Sequence, residues 1–104
     1  MTDKKAEESK LKTRLEEELV TWQTRIDEAR LQMNLGSRDA RDNIQSHLEE
    51  LEREFQEAKQ QWGELESASA SAWNDISHGL KLSFDSMKDA FAKAKQHFPK
   101  DGEK

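Results

Sequence analysis

Cysteine is absent from the 104 residues of this chain, which excludes a disulfide framework, a thiol nucleophile and a thiolate-ligated metal. Proline occurs once, glycine four times and tyrosine not at all, and no stretch alternates apolar and polar residues as a half-buried strand does. Apolar residues are also scarce, at 33% against 38% charged residues, and the mean hydropathy is −1.12. This composition fits either a disordered chain or helices that bury only a narrow stripe, within one small domain.

Charge of one sign is not concentrated in any part of the sequence. The net charge of −5 arises from 17 basic and 22 acidic residues that are mixed along the chain. Because phosphate binding needs a concentrated basic face, nucleic acid is not an expected partner. The first ten residues contain no apolar run, so neither a secretory signal nor a membrane span is expected, and we predict a cytoplasmic protein.

Apolar residues recur at steps of three and four in three stretches of the chain, which places them on one helical face in each stretch. The three stripes consist of Leu11, Leu15, Leu19, Trp22, Ile26, Ala29 and Met33; of Ala40, Ile44, Leu48, Leu51, Phe55, Ala58, Trp62 and Leu65; and of Trp73, Ile76, Leu80, Phe84, Met87, Phe91, Ala94 and Phe98. The spacing predicts an all-α protein of coiled-coil type and rejects disorder. We predict that the larger side chains, from Leu15 to Phe91, form a core or a subunit interface.

Small residues separate the second stripe from the third and predict a turn between them. The segment ESASASAW follows Leu65, and Ser67, Ser69 and Ser71 are each able to cap a helix N-terminus. The helix after this turn is expected to run from about residue 70 to residue 98, because Pro99 cannot continue it.

The pair Gly36–Ser37 leaves two alternatives open. As a turn, Gly36 would take the left-handed conformation that ends a helix, and Ser37 would cap the next helix. Against a turn, the apolar spacing continues in phase from Met33 through Gly36 to Ala40 and Ile44. One glycine inside a helix costs only about 1 kcal/mol, so we favour one long helix over about residues 5–66, kinked or broken at Gly36.

These alternatives predict different assemblies of a single helical domain spanning residues 1–104. A long helix of about 90 Å and a return helix of about 45 Å cannot cover each other, so the favoured hairpin needs a second copy. We therefore expect an antiparallel homodimer that closes into a four-helix bundle. If Gly36 is a turn, the alternative is a monomeric three-helix bundle like a spectrin repeat. Residues 1–4 and 99–104 are expected to fray.

Three segments, TWQTRIDEA, ARDNIQSHLEELE and LESASASAWNDISHGLKLSFDSMKDAFAKA, carry a resemblance to a known group of sequences. From Trp22 to about Ala94 the chain is similar to small, uncharacterised bacterial coiled-coil proteins. The resemblance implies a helical hairpin with a small-residue turn at positions 67–71 and an unbroken segment at positions 33–42, and it implies no activity. Gly36 departs from that pattern.

Candidate chemical groups are few. Asp75 and His78 share a helical face, and His47 and His97 are the other imidazoles, but a metal site needs three or four converging ligands. No serine lies between the glycines of a nucleophile elbow, and the glycines stand alone, so no phosphate loop is present. We predict no cofactor, no metal and no enzymatic activity.

Two functions are compatible with these patterns. The first is a self-associating helical scaffold or adaptor that acts through coiled-coil contacts with a second copy or a partner helix. The alternative is an amphipathic protein at a lipid or other hydrophobic surface, similar to an apolipoprotein or a phasin. The third stripe has lysines beside its apolar face, which suits an interfacial helix, whereas Asp75, Asp85 and Asp89 oppose attraction to anionic lipid.

Overall fold

The computed structural model describes residues 2–99, with side chains from Glu7 onward, and contains three α-helices. Helix α1 covers Thr2–Leu35, α2 covers Arg38–Glu64 and α3 covers Ala70–Lys95. A short 3-10 helix, Leu65–Ser67, lies between α2 and α3, and the described residues contain no strand. The all-α prediction is confirmed.

The chain breaks at Gly36–Ser37, so the long helix favoured over residues 5–66 is present in its broken form, as two helices. Ser37 has an extended backbone, with φ −66° and ψ 173°, and its Oγ accepts a hydrogen bond from the Ala40 backbone N–H at 3.2 Å. An unbroken helix of that length would span about 90 Å, whereas the longest dimension of the molecule is 58 Å. The alternative with a break at Gly36 is the one that the structure adopts.

Gly36 serves this turn through its small size and not through a left-handed backbone. No glycine among the described residues has a positive φ, which corrects the expected left-handed helix end. A Cβ at position 36 would lie 3.1 Å from the Ala40 Cβ and 3.6 Å from the Pro99 Cγ. A side chain at position 36 would therefore require the Ala40 Cβ to shift by a few tenths of an ångström, whereas Pro99 lies at ordinary contact distance.

The second turn lies where small residues predicted it. Of the three candidate caps, Ser69 is the one used, with φ −70° and ψ 171°, and its Oγ accepts from the Ala72 N–H at 3.3 Å. Helix α3 ends at Lys95, three residues before the predicted end. The chain continues in a turn in which the N–H groups of His97 and Phe98 donate to Ala94 and Lys95.

Contacts along the helices show that α2 runs antiparallel to both of its neighbours. Trp62 Nε1 donates to the Lys12 carbonyl at 3.1 Å near one end, and Arg30 pairs with Glu52 nearer the other end. On the opposite side of α2, Gln61 accepts from Ser83, and the rings of His47 and His97 stack. Helix α2 is the central element, and α1 and α3 pack against it more closely than against each other.

The three apolar stripes bury one another in a shared core. Trp22, Ile26, Ile44, Leu51, Leu80 and Met87 are the largest side chains with almost no exposure. Burying one such side chain contributes about 1.5–3 kcal/mol. One copy therefore covers its own stripes. A second copy is not needed to cover a long uncovered helix, and the dimer itself stays a prediction.

The ends of the chain are only partly described. Of the segments expected to fray, residue 1 and residues 100–104 lie outside the described part. Residues 2–4 belong to α1, and Pro99 is half-buried beside Gly36. Within residues 2–99, no helix has both the length and the apolar content needed to cross a bilayer.

Candidate interaction surface

The predicted core or interface residues all turn toward the inside of the bundle. Four of them, Met33, Trp62, Ile76 and Phe91, are half-buried. The buried ones are Leu15, Leu19, Trp22, Ile26, Ile44, Leu48, Leu51, Phe55, Leu65, Trp73, Leu80, Phe84 and Met87. In this arrangement they form an intramolecular core, and they leave other residues to make any contact between molecules.

Two buried residues, Ser77 and Ala90, lie outside the predicted stripes. Ala90 is 2% exposed and Ser77 is 7% exposed, and the Ser77 Oγ donates to the Asn74 carbonyl at 3.1 Å, so its polar atom has a partner. Ser77 lies four residues after Trp73 and three before Leu80. Helical spacing was therefore a signal for it, but its polarity hid the signal.

Four large apolar side chains among residues 7–99 are exposed, and three of them belong to α1. Val20, Leu31 and Leu35 are 64%, 56% and 59% exposed, and the fourth, Leu82, is 54% exposed on α3. At 100° per residue, the three on α1 fall within about 60° of the helix circumference. We call these three residues the outer stripe. Helix α1 thus carries apolar residues on both sides, whereas those of α2 and α3 are concentrated on one side.

A mostly apolar groove of about 480 Å³ lies between α1 and α2, next to the outer stripe. We call it the α1–α2 groove, and its lining residues are Glu16, Leu19, Val20, Gln23, Phe55, Lys59, Trp62 and Gly63. The Lys59 ammonium lies 5.6 Å from the Phe55 ring centroid, and the Trp62 indole N–H is held by the Lys12 carbonyl. The groove is therefore an apolar surface with one acidic and one basic residue.

A second groove of about 480 Å³ separates α1 from α3, and it is mostly charged. Its walls include Arg14, Glu17, Glu18, Arg25, Asp85 and Lys88, beside Trp22 and Phe84. The Arg25 guanidinium lies 4.6 Å from the Trp22 ring centroid, and Trp22 Nε1 is buried without an acceptor among the described residues. Because the charges of both signs balance, this groove favours neither an anion nor a cation.

The structure brings together two of the three histidines. The rings of His47 and His97 are stacked, with centroids 6.1 Å apart and planes 11° apart, although 50 residues separate them in sequence. His78 is exposed on α3, about 28 Å from His97 along the helix direction. Among the described residues, no three His, Asp or Glu side chains lie close enough to hold one metal ion. Two imidazoles alone do not make such a site.

A row of glutamates follows α2, and one of them has a perturbed pKa. Partial burial raises the pKa of Glu54 above its ordinary value, the neighbouring Glu57 and Glu50 raise it further, and Arg53 opposes the shift. These three carboxylates are spaced three and four residues apart along α2. Among the described residues, no metal-ligating side chain of another helix completes a site with them. The row is therefore an acidic strip on the surface of α2.

No protein-family model, curated protein or solved structure gives a significant match to this chain. The functional proposal consequently depends on the surface of the molecule itself. The outer stripe and the adjoining α1–α2 groove are the features of that surface that the packing of the bundle does not explain.

Proposed function

We propose that this chain is a non-enzymatic helical scaffold or adaptor protein that acts through protein–protein contacts and associates with itself. The observation that supports the proposal is the outer stripe, which adjoins the α1–α2 groove. A contact at this surface would remove Val20 and the groove from water, and the hydrophobic effect favours that burial.

The clustering of the exposed residues matters more than their number. Single exposed leucines are common on soluble proteins and need no explanation. Here three of the four exposed large apolar residues in the described part of the chain share one arc of one helix, and Val20 continues into an apolar groove. An exposed apolar residue at the edge of an apolar groove is typical of a contact with another protein.

The polar groups support a structural role and not a chemical one. The hydroxyls of Ser37 and Ser69 cap helices, and the Ser77 hydroxyl donates to its own helix. His47 and His97 stack on each other across two elements. Each of these groups already has a part in holding the bundle together.

Sedimentation velocity over a wide concentration range tests the proposal. We expect the parent chain to shift from monomer to dimer as its concentration rises. The variant Val20→Glu should remain monomeric, because each dimer would bury two additional charges at the interface. Leu82→Glu is the matched control, since it places the same charge on an equally exposed leucine of α3, and its dimer should be unaffected. A parent chain that is monomeric at every concentration contradicts self-association.

Action at a lipid surface is the alternative function. The apolar face of α3, which would have to contact lipid, is turned into the core through Trp73, Leu80, Phe84 and Met87. Lipid binding therefore requires the bundle to open, and the closed bundle favours this function less. Flotation with neutral and anionic liposomes tests it, and recovery of the protein with either would favour the alternative.

A further inference from the structure

We infer that a second copy of this chain docks in the α1–α2 groove, with a two-fold axis parallel to the helices, so that α1 of each copy lies over α2 of the other. This inference rests on the proposed self-association and specifies its geometry. Three features of the groove support it: its charges, its apolar centre and one glycine.

The charges of the groove are complementary to those of the same groove in a second copy. Glu16 lines the α1 side and Lys59 lines the α2 side, and within residues 7–99 neither forms an ion pair. Rotation about an axis parallel to the helices exchanges the two sides but keeps each residue at its level along the bundle. Glu16 of each copy then faces the partner's Lys59, which gives two ion pairs per dimer.

The apolar centre of the groove lies between these charges. Val20 is 64% exposed, and Trp62 is only half-buried beside it. The same rotation places Val20 over the partner's α2, next to Phe55 and Trp62. An apolar centre with charged edges is the usual anatomy of a protein–protein interface.

The surroundings of Gly63 within a single copy give no reason for a glycine at this position. It lies in the last turn of α2 at the edge of the groove, and a Cβ at this position would meet nothing within 4 Å. Glycine in a helix is less favourable than alanine, so packing and helix stability both argue against it here. Its small size would allow the backbone of the partner's α1 to approach closely.

The α1–α3 groove is a weaker candidate for this contact. Arg25 lies across the Trp22 ring there, and charged side chains of both signs line the walls. Docking a second copy in that groove would remove many charged groups from water. The α1–α3 groove has less apolar surface than the α1–α2 groove to offset the loss of hydration of these charges.

Charge reversal tests the pairing of Glu16 with Lys59. Glu16→Lys alone and Lys59→Glu alone should each weaken the dimer about tenfold at low salt, because each dimer would then contain two like-charge contacts. The double variant restores both pairs and should return to within about threefold of the parent affinity. Glu18→Lys places the same charge change on the α1–α3 side of the helix and should leave the dimer unchanged. Sedimentation gives the dissociation constants.

Gly63→Leu tests the close approach. The variant should weaken the dimer at least about tenfold, because a leucine at this position occupies the space that the partner's α1 needs. The monomer should be no less stable than the parent in thermal unfolding at a concentration below the dimer range, since a side chain at position 63 starts in open space, with nothing within 4 Å of its Cβ. A loss of monomer stability would show instead that Gly63 acts within one copy, which contradicts the role assigned to it here.

The outcomes separate the geometry from the function. A dimer that Val20→Glu abolishes, but that the charge reversals and Gly63→Leu leave unchanged, supports self-association and overturns this geometry. Single reversals that weaken the dimer without rescue in the double variant overturn the Glu16–Lys59 pairing. A parent chain that never dimerises contradicts both the function and the geometry.

Discussion

The two ends of the bundle use the same cap but close in different ways. At one end, which we call the Gly36 end, two residues connect α1 to α2. At the other, the Leu65 end, a 3-10 helix and two further residues connect α2 to α3. Ser37 and Ser69 have nearly identical extended backbones, and each accepts a hydrogen bond from the N–H three residues later. Leu65 fills one end with a buried side chain, whereas Phe98 and Pro99 cover the other from the C-terminus.

The Gly36 end shows that the phase of an apolar stripe does not distinguish a helix from a tight turn. The steps from Met33 to Gly36, Ala40 and Ile44 are helical although the chain reverses between them. Both helices turn their stripes toward one core, so residues on either side of a short turn meet that core at similar levels. The spacing therefore continues whether or not the helix does, and the cap residue is the informative signal.

The largest difference between the ends should appear when an apolar side chain is removed from each. Leu65 is 2% exposed, so Leu65→Ala should lower the free energy of unfolding by about 3 kcal/mol. Phe98 is half-buried and packs edge-on against Phe91 at 5.9 Å, so Phe98→Ala should lower it by about 1.5 kcal/mol. Urea unfolding followed by circular dichroism measures both values. Equal losses would show that the two ends are closed equally well.

The same substitution at two glycines should have opposite signs. Gly36→Ala should destabilise the bundle by about 1–2 kcal/mol, because the new Cβ meets the Ala40 Cβ, which is fixed on the backbone of α2. Gly63→Ala should stabilise it by about 0.5–1 kcal/mol, since its Cβ enters open space in a helix. Thermal and urea unfolding at low concentration measure both. Stabilisation by Gly36→Ala would contradict the close approach at that turn.

Removal of the two caps should have matching effects. Ser37→Ala and Ser69→Ala should each lower the free energy of unfolding by about 1 kcal/mol. The caps lie at opposite ends of the molecule, so the double variant should show the sum of the two losses. Ser71→Ala is the control, because Ser71 is exposed in the first turn of α3 and, among the described residues, its hydroxyl caps nothing. A cap loss at one end only would break the similarity between the ends.

The smallest expected effect concerns the ion pair at the Leu65 end. Lys12 Nζ lies 3.0 Å from Glu66 Oε2, and the glutamate is largely exposed. Glu66→Gln should therefore lower the free energy of unfolding by no more than about 0.5 kcal/mol. The loss should disappear in about 1 M salt, where surface charges are screened. A large loss that persists in high salt would show that this pair holds the end together.

Much of the fold could be predicted from local patterns. The stripes placed Trp22, Leu51 and Leu80 in the interior because helical spacing and hydrophobicity agree at these positions. The turn before α3 was found because ESASASAW combines missing stripe residues with several possible caps. Pro99 predicted the end of α3 within three residues, and the difference arises because the chain after Lys95 forms a tighter turn that brings Phe98 against Phe91.

The rest depends on arrangement in space. The sequence does not decide between a kink and a break at Gly36, because a glycine and a serine in phase with the stripe fit a helix and a turn equally well. The stacking of His47 on His97 requires the antiparallel pairing of α2 and α3, which no local pattern contains. Val20 was outside the predicted stripe. Its importance arises only because Trp62 and Phe55 approach it from α2 and form a groove.

The most direct test of the fold is a distance between spin labels on α1 and α2. The chain lacks cysteine, so Ser9→Cys with Gln60→Cys provides two labelling sites, both on exposed positions. Because Trp62 contacts Lys12, a chain that reverses at Gly36–Ser37 should give a separation below about 30 Å, whereas an unbroken helix gives about 75 Å. Pulsed electron paramagnetic resonance, with excess unlabelled protein to suppress distances between copies, measures it. A distribution centred near the longer distance would contradict the three-helix bundle.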